Sequence, residues 1–94
     1  MSIEGFRHKG LKRFYYENDA RGLPPAQIEK IRDILTVLQE ASEPSEVALF
    51  PGWRVHRLKG RLGGLWSVTL TGNWRIIFRF ERGRAFDVDL IDYH

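Results

Sequence analysis

The chain has 94 residues, of which 43% are hydrophobic and 29% charged, with no cysteine and a formal net charge of +3. These values are typical of a folded globular protein, and the length suits one hydrophobic core, so we expect a single domain over residues 1–94. The lack of cysteine excludes disulfides, thiolate metal sites and a cysteine nucleophile. The apolar runs are far shorter than the roughly 20 residues of a membrane helix, and the N-terminus lacks a signal-peptide pattern. We therefore expect a cytoplasmic protein without membrane contact.

The first half of the chain predicts a short edge strand at residues 3–6 and then two helices. Leu11, Phe14 and Tyr15 recur at helical spacing and predict a basic amphipathic helix that ends before Gly22. Tandem prolines at 24–25 suit the first turn of a second helix. Its apolar residues form a broad stripe that faces a core: Ile28, Ile31, Ile34, Leu35, Val37 and Leu38.

The second half predicts strands. Residues 42–52 lose the helical period and contain two prolines, so we expect a surface connection there. The segments "WRVHRL", "LWSVTL", "NWRIIFRF" and "AFDVDLI" are rich in β-formers, and "TGN" and "ERGR" suit the turns between the last three. The predicted fold class is α+β: two N-terminal helices packed on one face of a small twisted antiparallel sheet, in the order β-α-α-β-β-β with a C-terminal strand.

Alternation along the strands predicts which side chains share a face. If Trp53 and Val55 face the helices, Arg54 and His56 face away. In the strand that contains Ile76, the isoleucine faces the helices and Arg75 and Arg79 face away. The aromatic residues on the inward parity are expected in the core: Trp53, Trp66, Trp74, Phe78, Phe80 and Phe86. The outer face then collects Arg54, His56, Arg75 and Arg79, bordered by Arg57, Lys59 and Arg61 of the loop "RLKGRLGG". A solvated sheet face explains any one of these charges, but their convergence indicates a cationic surface.

The chain closes with an acid, a phenol and an imidazole: Asp92, Tyr93 and His94. In an ideal strand Asp92 and His94 would share the inward parity of Leu90, and burying them unpaired is costly. We therefore expect the chain to leave the strand, or to bulge, after residue 90 or 91. The last residues would then lie at the sheet margin beside His56 and Arg75.

This set of residues suits RNA cleavage better than metal chemistry. Two histidines and one aspartate among arginines and lysines are a poor metal site, so we expect no metal and no cofactor. In metal-free RNA cleavage a base deprotonates the 2′-hydroxyl, an acid protonates the leaving 5′-oxygen, and cations stabilise the charge on the phosphate. Imidazole, phenol and guanidinium groups can supply these roles.

Several motifs, in order along the chain, resemble one family. They are "FRHKGLKRF", the "LKG" after His56, "GLWSVTLTGNWRIIFRF" and the terminal "DYH". Together they are similar to the HigB toxins of the RelE/ParE superfamily, which belong to type II toxin–antitoxin systems. The resemblance covers nearly the whole chain and implies a RelE-like fold. Arg57 and Arg61 depart from the proline and the acidic residue common at these positions, which makes the loop more basic.

The resemblance implies a ribosome-dependent messenger-RNA endonuclease, silenced by a HigA-type antitoxin with a helix-turn-helix domain. Its partners would be messenger RNA in the ribosomal A site, ribosomal RNA and, only through the antitoxin, operator DNA. The family's catalytic positions fall on His56, Asp92, Tyr93 and His94, and its basic positions on Lys59 and Arg75.

The hypothesis for the site divides the roles among these residues. His56 and His94 exchange protons, with base and acid unassigned; Asp92 orients an imidazole; and Tyr93 contacts a base of the message. Lys59 and Arg75 hold the scissile phosphate. The other cations attract RNA: Arg54, Arg57, Arg61 and Arg79. Two other functions stay open, a ParE-like inhibitor of DNA gyrase without nuclease activity and a basic RNA-binding module without turnover.

Overall fold

The computed structural model describes residues 1–93 and shows an α+β fold in which helices cover one face of a five-stranded sheet. The elements, in chain order, are β1 (Ser2–Ile3), α1 (Lys9–Glu17), α2 (Ile28–Glu40), α3 (Pro44–Val47), β2 (His56–Arg57), β3 (Trp66–Thr71), β4 (Trp74–Glu81) and β5 (Arg84–Asp92). Short 3-10 helices at Pro25–Gln27 and Gly60–Leu62 precede α2 and β3. Within residues 1–93, no helix has both the length and the apolar character needed to cross a bilayer.

Both long helices form where the apolar spacing predicts them. In α1, the imidazole Nδ1 of His8 accepts a hydrogen bond from the Leu11 amide at 3.1 Å and caps the first turn. The helix ends at Asn18, which adopts the left-handed conformation with φ 54°. The predicted end before Gly22 is therefore four residues late, because an asparagine, and not the glycine, provides the left-handed cap.

The glycine at position 22 has a packing role instead. It lies against Gly10, at whose position a Cβ atom would stand 2.8 Å from the Gly22 carbonyl oxygen. This close backbone approach packs the chain after α1 tightly against the start of that helix.

The strand order in the sheet is β1-β5-β4-β3-β2. The pairs β2–β3, β3–β4 and β4–β5 are antiparallel, whereas β1 runs parallel to β5. The sheet is therefore mixed, although the sequence pattern predicted only antiparallel pairing. The β4–β5 turn places Arg82 and Gly83 at φ 49° and 77°, and two successive positive φ values suit the right-handed twist of a tight hairpin.

A bulge in β5 changes which side chains share a face. Arg79 pairs with Phe86, but Ile77 pairs with Asp89, so β5 has one extra residue between these pairs. Asp87 adopts φ 55° within this bulge. Phe86 consequently lies on the outer face with Arg79, whose guanidinium carbon is 4.5 Å from the ring centroid. The prediction that Phe86 faces the core is wrong because the bulge breaks the alternation.

The main core lies between the helices and the sheet. Its fully buried side chains come from α1, α2 and the three long strands, and include Leu11, Ile31, Ile34, Leu38, Val68, Leu70, Ile76, Phe78 and Val88. The predicted stripe of α2 and the inward positions of β3 are thus confirmed. Trp74 was predicted in this core but is 39% exposed, because it lies at the end of β4 opposite the exposed Asp92.

Two further segments differ from the sequence prediction. The strand predicted from "WRVHRL" shortens to the two residues of β2 because Arg54 adopts the left-handed conformation, with φ 47°. The connection at residues 42–52 contains the short helix α3, which begins at Pro44, a residue suited to a first helical turn.

Candidate active site

Strand register places the two central candidate residues on the face of the sheet that points away from the helices. His56 pairs with Ser67, which pairs with Ile77, while Arg75 pairs with Thr69 on the same parity. Directly paired residues share a face. Two strand spacings and two residues of offset put the His56 and Arg75 Cα atoms about 12 Å apart. Because both side chains project from one face, they flank a single open surface, as the alternation predicted.

Tyr93 continues the same parity on β5. Ile91 pairs with Arg75, and the Tyr93 amide donates to the carbonyl oxygen of Asn73 at 2.8 Å. Tyr93 is therefore a diagonal neighbour of Arg75, at about 7–8 Å between Cα atoms, and its side chain is 39% exposed. The chain was expected to leave the strand after residue 90 or 91, but β5 continues to Asp92. The phenol nevertheless lies at the predicted sheet margin, beside Arg75.

Asp92 pairs with Trp74 and so lies on the helix-side parity, where it is exposed at the end of the ladder. Asp92 was predicted on the outer face beside His56 and Arg75, but its pairing with Trp74 places it on the helix side of the sheet. His94 lies outside the residues that the structure describes.

The imidazole of His56 is exposed, and a backbone contact fixes its orientation. Its Nδ1 atom lies 2.7 Å from the carbonyl oxygen of Arg54. A carbonyl oxygen only accepts hydrogen bonds, so Nδ1 carries the proton and Nε2 keeps its lone pair in the neutral ring. The left-handed conformation of Arg54, φ 47°, aims this carbonyl at the ring. Arg54 was predicted to act through its charge, whereas its carbonyl contacts His56, a backbone contact that no sequence pattern indicates.

Arg75 is the second residue of β4 and lies next to the turn that follows β3. Its Nη1 atom donates to the carbonyl oxygens of Gly72 at 2.6 Å and Trp74 at 3.1 Å. A guanidinium has five N–H donors in a planar fork. The donors on the other two nitrogens can bind an anion while these contacts hold the base of the fork.

The remaining predicted cations do not all share the outer face with His56. Arg57 pairs with Trp66 on the helix-side parity, and its guanidinium carbon is 5.7 Å from the indole centroid. Lys59 and Arg61 are exposed in the loop that follows β2, at the start of the short 3-10 helix and within it. The loop with Lys59 and Arg61 therefore follows His56 directly in the chain, whereas Arg57 lies on the helix side of the sheet.

Arg79 shares the outer face, but its charge is compensated locally. Its guanidinium pairs with Glu81 and, at 3.4 Å, with Asp87. Desolvation alone would lower the pKa of Arg79, but the hydrogen bonds and charges of the two carboxylates outweigh it and raise the pKa. Because Glu81 and Asp87 pair with Arg79, part of its positive charge is neutralised within the protein.

The outer face also contains a small apolar floor that the sequence analysis missed. Ile77, directly across β3 from His56, is only 4% exposed, and Leu58 is 5% exposed, although both lie outside the main core. Ser67, between Ile77 and His56, is fully buried. The consecutive isoleucines of "RIIFRF" are the available signal, since strict alternation would place a polar residue at position 77. The imidazole of His56 therefore projects from a part of the outer face where the neighbouring side chains are buried.

The described donor sets do not form a metal centre. Across residues 1–93, no three His, Cys, Asp or Glu side chains are arranged to hold an ion. What the outer face offers is an exposed imidazole held through Nδ1, a guanidinium and a phenol. This arrangement can remove a proton, bind a phosphate and contact a base.

Comparisons with known proteins identify a family. A family model described as "RelE-like toxin of type II toxin-antitoxin system HigB" matches residues 4–94. The chain is 37% identical over 92 residues to "Endoribonuclease HigB" of Proteus vulgaris, spanning 98% of this chain and 99% of that protein. It is 32% identical over 91 residues to "Toxin HigB-1" of Vibrio cholerae serotype O1, spanning 96% and 95% respectively.

The fold has a counterpart among solved structures. A "YoeB/ParE toxin from Agrobacterium tumefaciens" aligns with a TM-score of 0.58 over 100% of this chain and 99% of that one, at 21% identity. At this identity the likeness is evidence for the fold alone.

Proposed function

The chain belongs to the HigB-like toxins of type II toxin–antitoxin systems, and we propose that it inhibits translation as a ribosome-dependent, metal-independent messenger-RNA endonuclease. One observation carries the proposal. The exposed imidazole of His56, held through Nδ1 by the Arg54 carbonyl at 2.7 Å, shares an open sheet face with Arg75 and Tyr93. An open face suits a polynucleotide strand, which must lie across the site rather than enter a cavity.

The proposed reaction begins at the free nitrogen of His56. Nε2 takes the proton of the 2′-hydroxyl as the 2′-oxygen attacks the adjacent phosphorus, and the bond from phosphorus to the 5′-oxygen breaks. The products are a 2′,3′-cyclic phosphate and a 5′-hydroxyl, whose proton comes from the acid. His94 is the proposed acid, on the strength of the family resemblance. His56 is the proposed base, because a hydrogen bond from Nδ1 to the Arg54 carbonyl leaves Nε2 unprotonated in the neutral ring.

The charge that develops on the phosphate needs cations near it. Arg75 is the proposed principal contact, since its fork is anchored at one nitrogen and open at the others. Lys59 would reach the same phosphate from the adjacent loop. Tyr93, a diagonal neighbour of Arg75, would stack on or hydrogen-bond to a base, and Asp92 would orient the terminal imidazole.

The outer cations contribute unequally in this proposal. Arg54 and Arg61 are exposed and would add general attraction to RNA. Arg57 would act from the edge of β2, on the side opposite His56. Arg79 would add the least because Glu81 and Asp87 already compensate its charge.

The partners follow from the same proposal. The substrate would be messenger RNA in the ribosomal A site, with ribosomal RNA around it, in the cytoplasm. A HigA-type antitoxin with a helix-turn-helix domain would silence the toxin and connect the complex to operator DNA.

The test is primer-extension mapping of transcript ends in a translating extract after addition of the protein. We expect new 5′ ends with the wild type and a rate lower by roughly 10²–10⁴-fold for His56→Ala and for His94→Ala. His8→Asn is the matched control: it removes a histidine but keeps an N-cap side chain on α1, so it should cleave like the wild type.

Three outcomes would contradict the proposal. Cleavage by His56→Ala at the wild-type rate would show that His56 is not the general base. Intact transcripts accompanied by DNA-damage signalling would favour a gyrase inhibitor of the ParE type. Transcripts that stay bound and uncut would favour an RNA-binding module without turnover.

A further inference from the structure

The exposed side of α1 has a charge arrangement that the proposed catalytic face does not explain. Lys9, Lys12, Arg13 and Tyr16 recur at i, i+3, i+4 and i+7, so they form one stripe along the helix. All four are exposed, and together with Glu17 they line a shallow concave surface. The opposite side of the helix, with Leu11 and Phe14, is buried in the core. We refer to the four residues as the α1 stripe.

The charges of the α1 stripe work against the helix that carries them. The positive end of the helix dipole is at the N-terminus, where acidic side chains are favourable and basic ones are not. The first turn of α1 has no acidic residue, and its last turn has no basic one. Lys9 also lies one turn from both Lys12 and Arg13, so the like charges repel each other. By contrast, α2 has Glu29 in its first turn, as a helix with a solvated outer face should.

The acidic neighbours of these cations lie toward the C-terminal end of the stripe, where Glu17 follows Arg13 by one turn. Hydrogen bonds from Arg21, and to a smaller extent the charge of Arg13, lower the pKa of Asp19. Among residues 1–93 the ion pairs within 4.0 Å involve Arg21 with Asp19 and Arg79 with two carboxylates, and none involves the α1 stripe. Charges that cost the helix stability and form no close ion pair are expected where a ligand supplies the missing charge.

The aromatic member of the stripe is held in place from below. The Tyr16 ring is 59% exposed, and it makes edge contacts with Phe6 at 5.9 Å and Tyr15 at 5.0 Å between ring centroids. Phe6 is itself tied to β5 through a bridge to Val88. An exposed ring that packing has already oriented can contact a sugar or a base without losing much freedom.

From these observations we propose that the α1 stripe is a second RNA-binding surface that takes the phosphate backbone of folded ribosomal RNA. The inference rests on the proposed ribosomal function. The stripe belongs to the helix layer, whereas His56 and Arg75 project from the other face of the sheet, so the two surfaces contact different RNA segments. Messenger RNA lies on the sheet face and structural RNA on α1.

RNA fits the stripe better than an acidic protein does. Lysine is depleted at the cores of protein interfaces, where apolar and aromatic residues dominate, but it is an effective point charge for phosphate. The exposed large side chains that have no polar group lie away from the stripe, at Leu49 and Phe50, which are 77% and 42% exposed. The antitoxin is therefore an alternative occupant to be separated from RNA by the test.

The test compares two variants that remove the same charge. Lys9→Gln/Lys12→Gln neutralises the start of the stripe, and Arg82→Gln/Arg84→Gln neutralises the exposed cations at the β4–β5 turn. Binding to purified ribosomes is measured by sedimentation over a range of salt concentrations, and transcript cleavage is followed in the same preparations.

For the stripe variant, loss of two phosphate contacts should reduce the slope of log affinity against log salt by about 1.4–1.8. Near 0.15 M salt that corresponds to roughly 15- to 30-fold weaker binding. The maximal cleavage rate at saturating toxin should stay at the wild-type value, while the toxin concentration for half-maximal cleavage rises in proportion. The turn variant should bind with a salt slope close to that of the wild type.

Three other outcomes would count against the proposed role of the α1 stripe. Equal loss of binding in both variants would mean that net charge alone matters. An unchanged slope in the stripe variant would mean that the α1 stripe does not bind RNA. Loss of antitoxin binding with full ribosome affinity would mean that the stripe binds the antitoxin instead. Failure of the wild type to cleave while the slope difference persists would refute the proposed nuclease and leave the RNA-binding surface standing.

Discussion

Arg54 offers a direct test of how the backbone prepares His56 for catalysis. The contact between Nδ1 and the Arg54 carbonyl depends on φ 47° at residue 54. Proline fixes φ near −65°, so Arg54→Pro rotates this backbone bond by roughly 110° and turns the carbonyl away from the ring. Arg54→Gly removes the same charge but tolerates positive φ, which makes it the matched control.

The expected loss follows from the free energy of one hydrogen bond. A net contribution of about 0.5–1.5 kcal/mol favours the Nδ1–H tautomer by roughly 2- to 13-fold. Without the contact the two tautomers approach equal population, and the imidazole also becomes free to rotate. The fraction of rings with an unprotonated Nε2 then falls from about 70–93% to about 50%, so we expect Arg54→Pro to cleave about 1.4- to 1.9-fold more slowly than Arg54→Gly at saturating toxin, with similar affinity for RNA. A larger loss would report the rotation of the ring.

Two measurements check this prediction. Single-turnover cleavage at saturating toxin gives the rate, and 15N shifts of the His56 ring at a pH where it is neutral report the tautomer directly. A thermal melt of each variant verifies that the fold is retained. Equal rates for the proline and glycine variants, or a wild-type ring protonated at Nε2, would refute the assignment of His56 Nε2 as the base.

Two further predictions concern stability. Gly10→Ala would place a Cβ atom 2.8 Å from the Gly22 carbonyl oxygen. Because the nearest atom belongs to the backbone, we expect an overpacking cost in the upper part of the range of about 1–3 kcal/mol; alanine regains about 1 kcal/mol in helix propensity, so the net loss should be about 1–2 kcal/mol. A thermal melt against Gly5→Ala, which has open space within 4 Å of its Cβ position, measures the difference, and equal Tm values would contradict it. Ile77→Ala should lower the free energy of unfolding by about 2–5 kcal/mol because the side chain is buried under the candidate site. Urea unfolding measures this loss, and one below about 1 kcal/mol would mean that the apolar floor is not packed.

Periodicity was sufficient for the parts of the fold in which one face is continuously buried. The stripe of α2 and the inward positions Val68, Leu70 and Ile76 were predicted from spacing alone and are confirmed. The placement of His56 and Arg75 on one outer face followed from the same rule. These elements are regular, so a period of two or 3.6 residues carries the required information.

Local backbone irregularities were not predictable in this way. "AFDVDLI" alternates without a break, yet Asp87 bulges and moves Phe86 to the outer face. Likewise, "WRVHRL" alternates through Arg54, whose left-handed conformation ends the expected strand early. A bulge or a positive φ depends on strand pairing and on loop closure, and neither leaves a hydrophobic pattern behind.

These irregularities determine the candidate site. The bulge at Asp87 adds one residue to β5, which sets the parity of every later position in that strand. With that extra residue Leu90 faces the core, Ile91 lies beside Arg75, and Tyr93 follows on the outer face. Without it the alternation would reverse, and the phenol would point toward the helix layer. The bulge at Asp87, which the sequence pattern did not predict, therefore places Tyr93 next to Arg75. In the same way, the positive φ of Arg54 places its carbonyl oxygen beside the His56 ring. Backbone geometry, more than residue identity, decides whether these side chains meet.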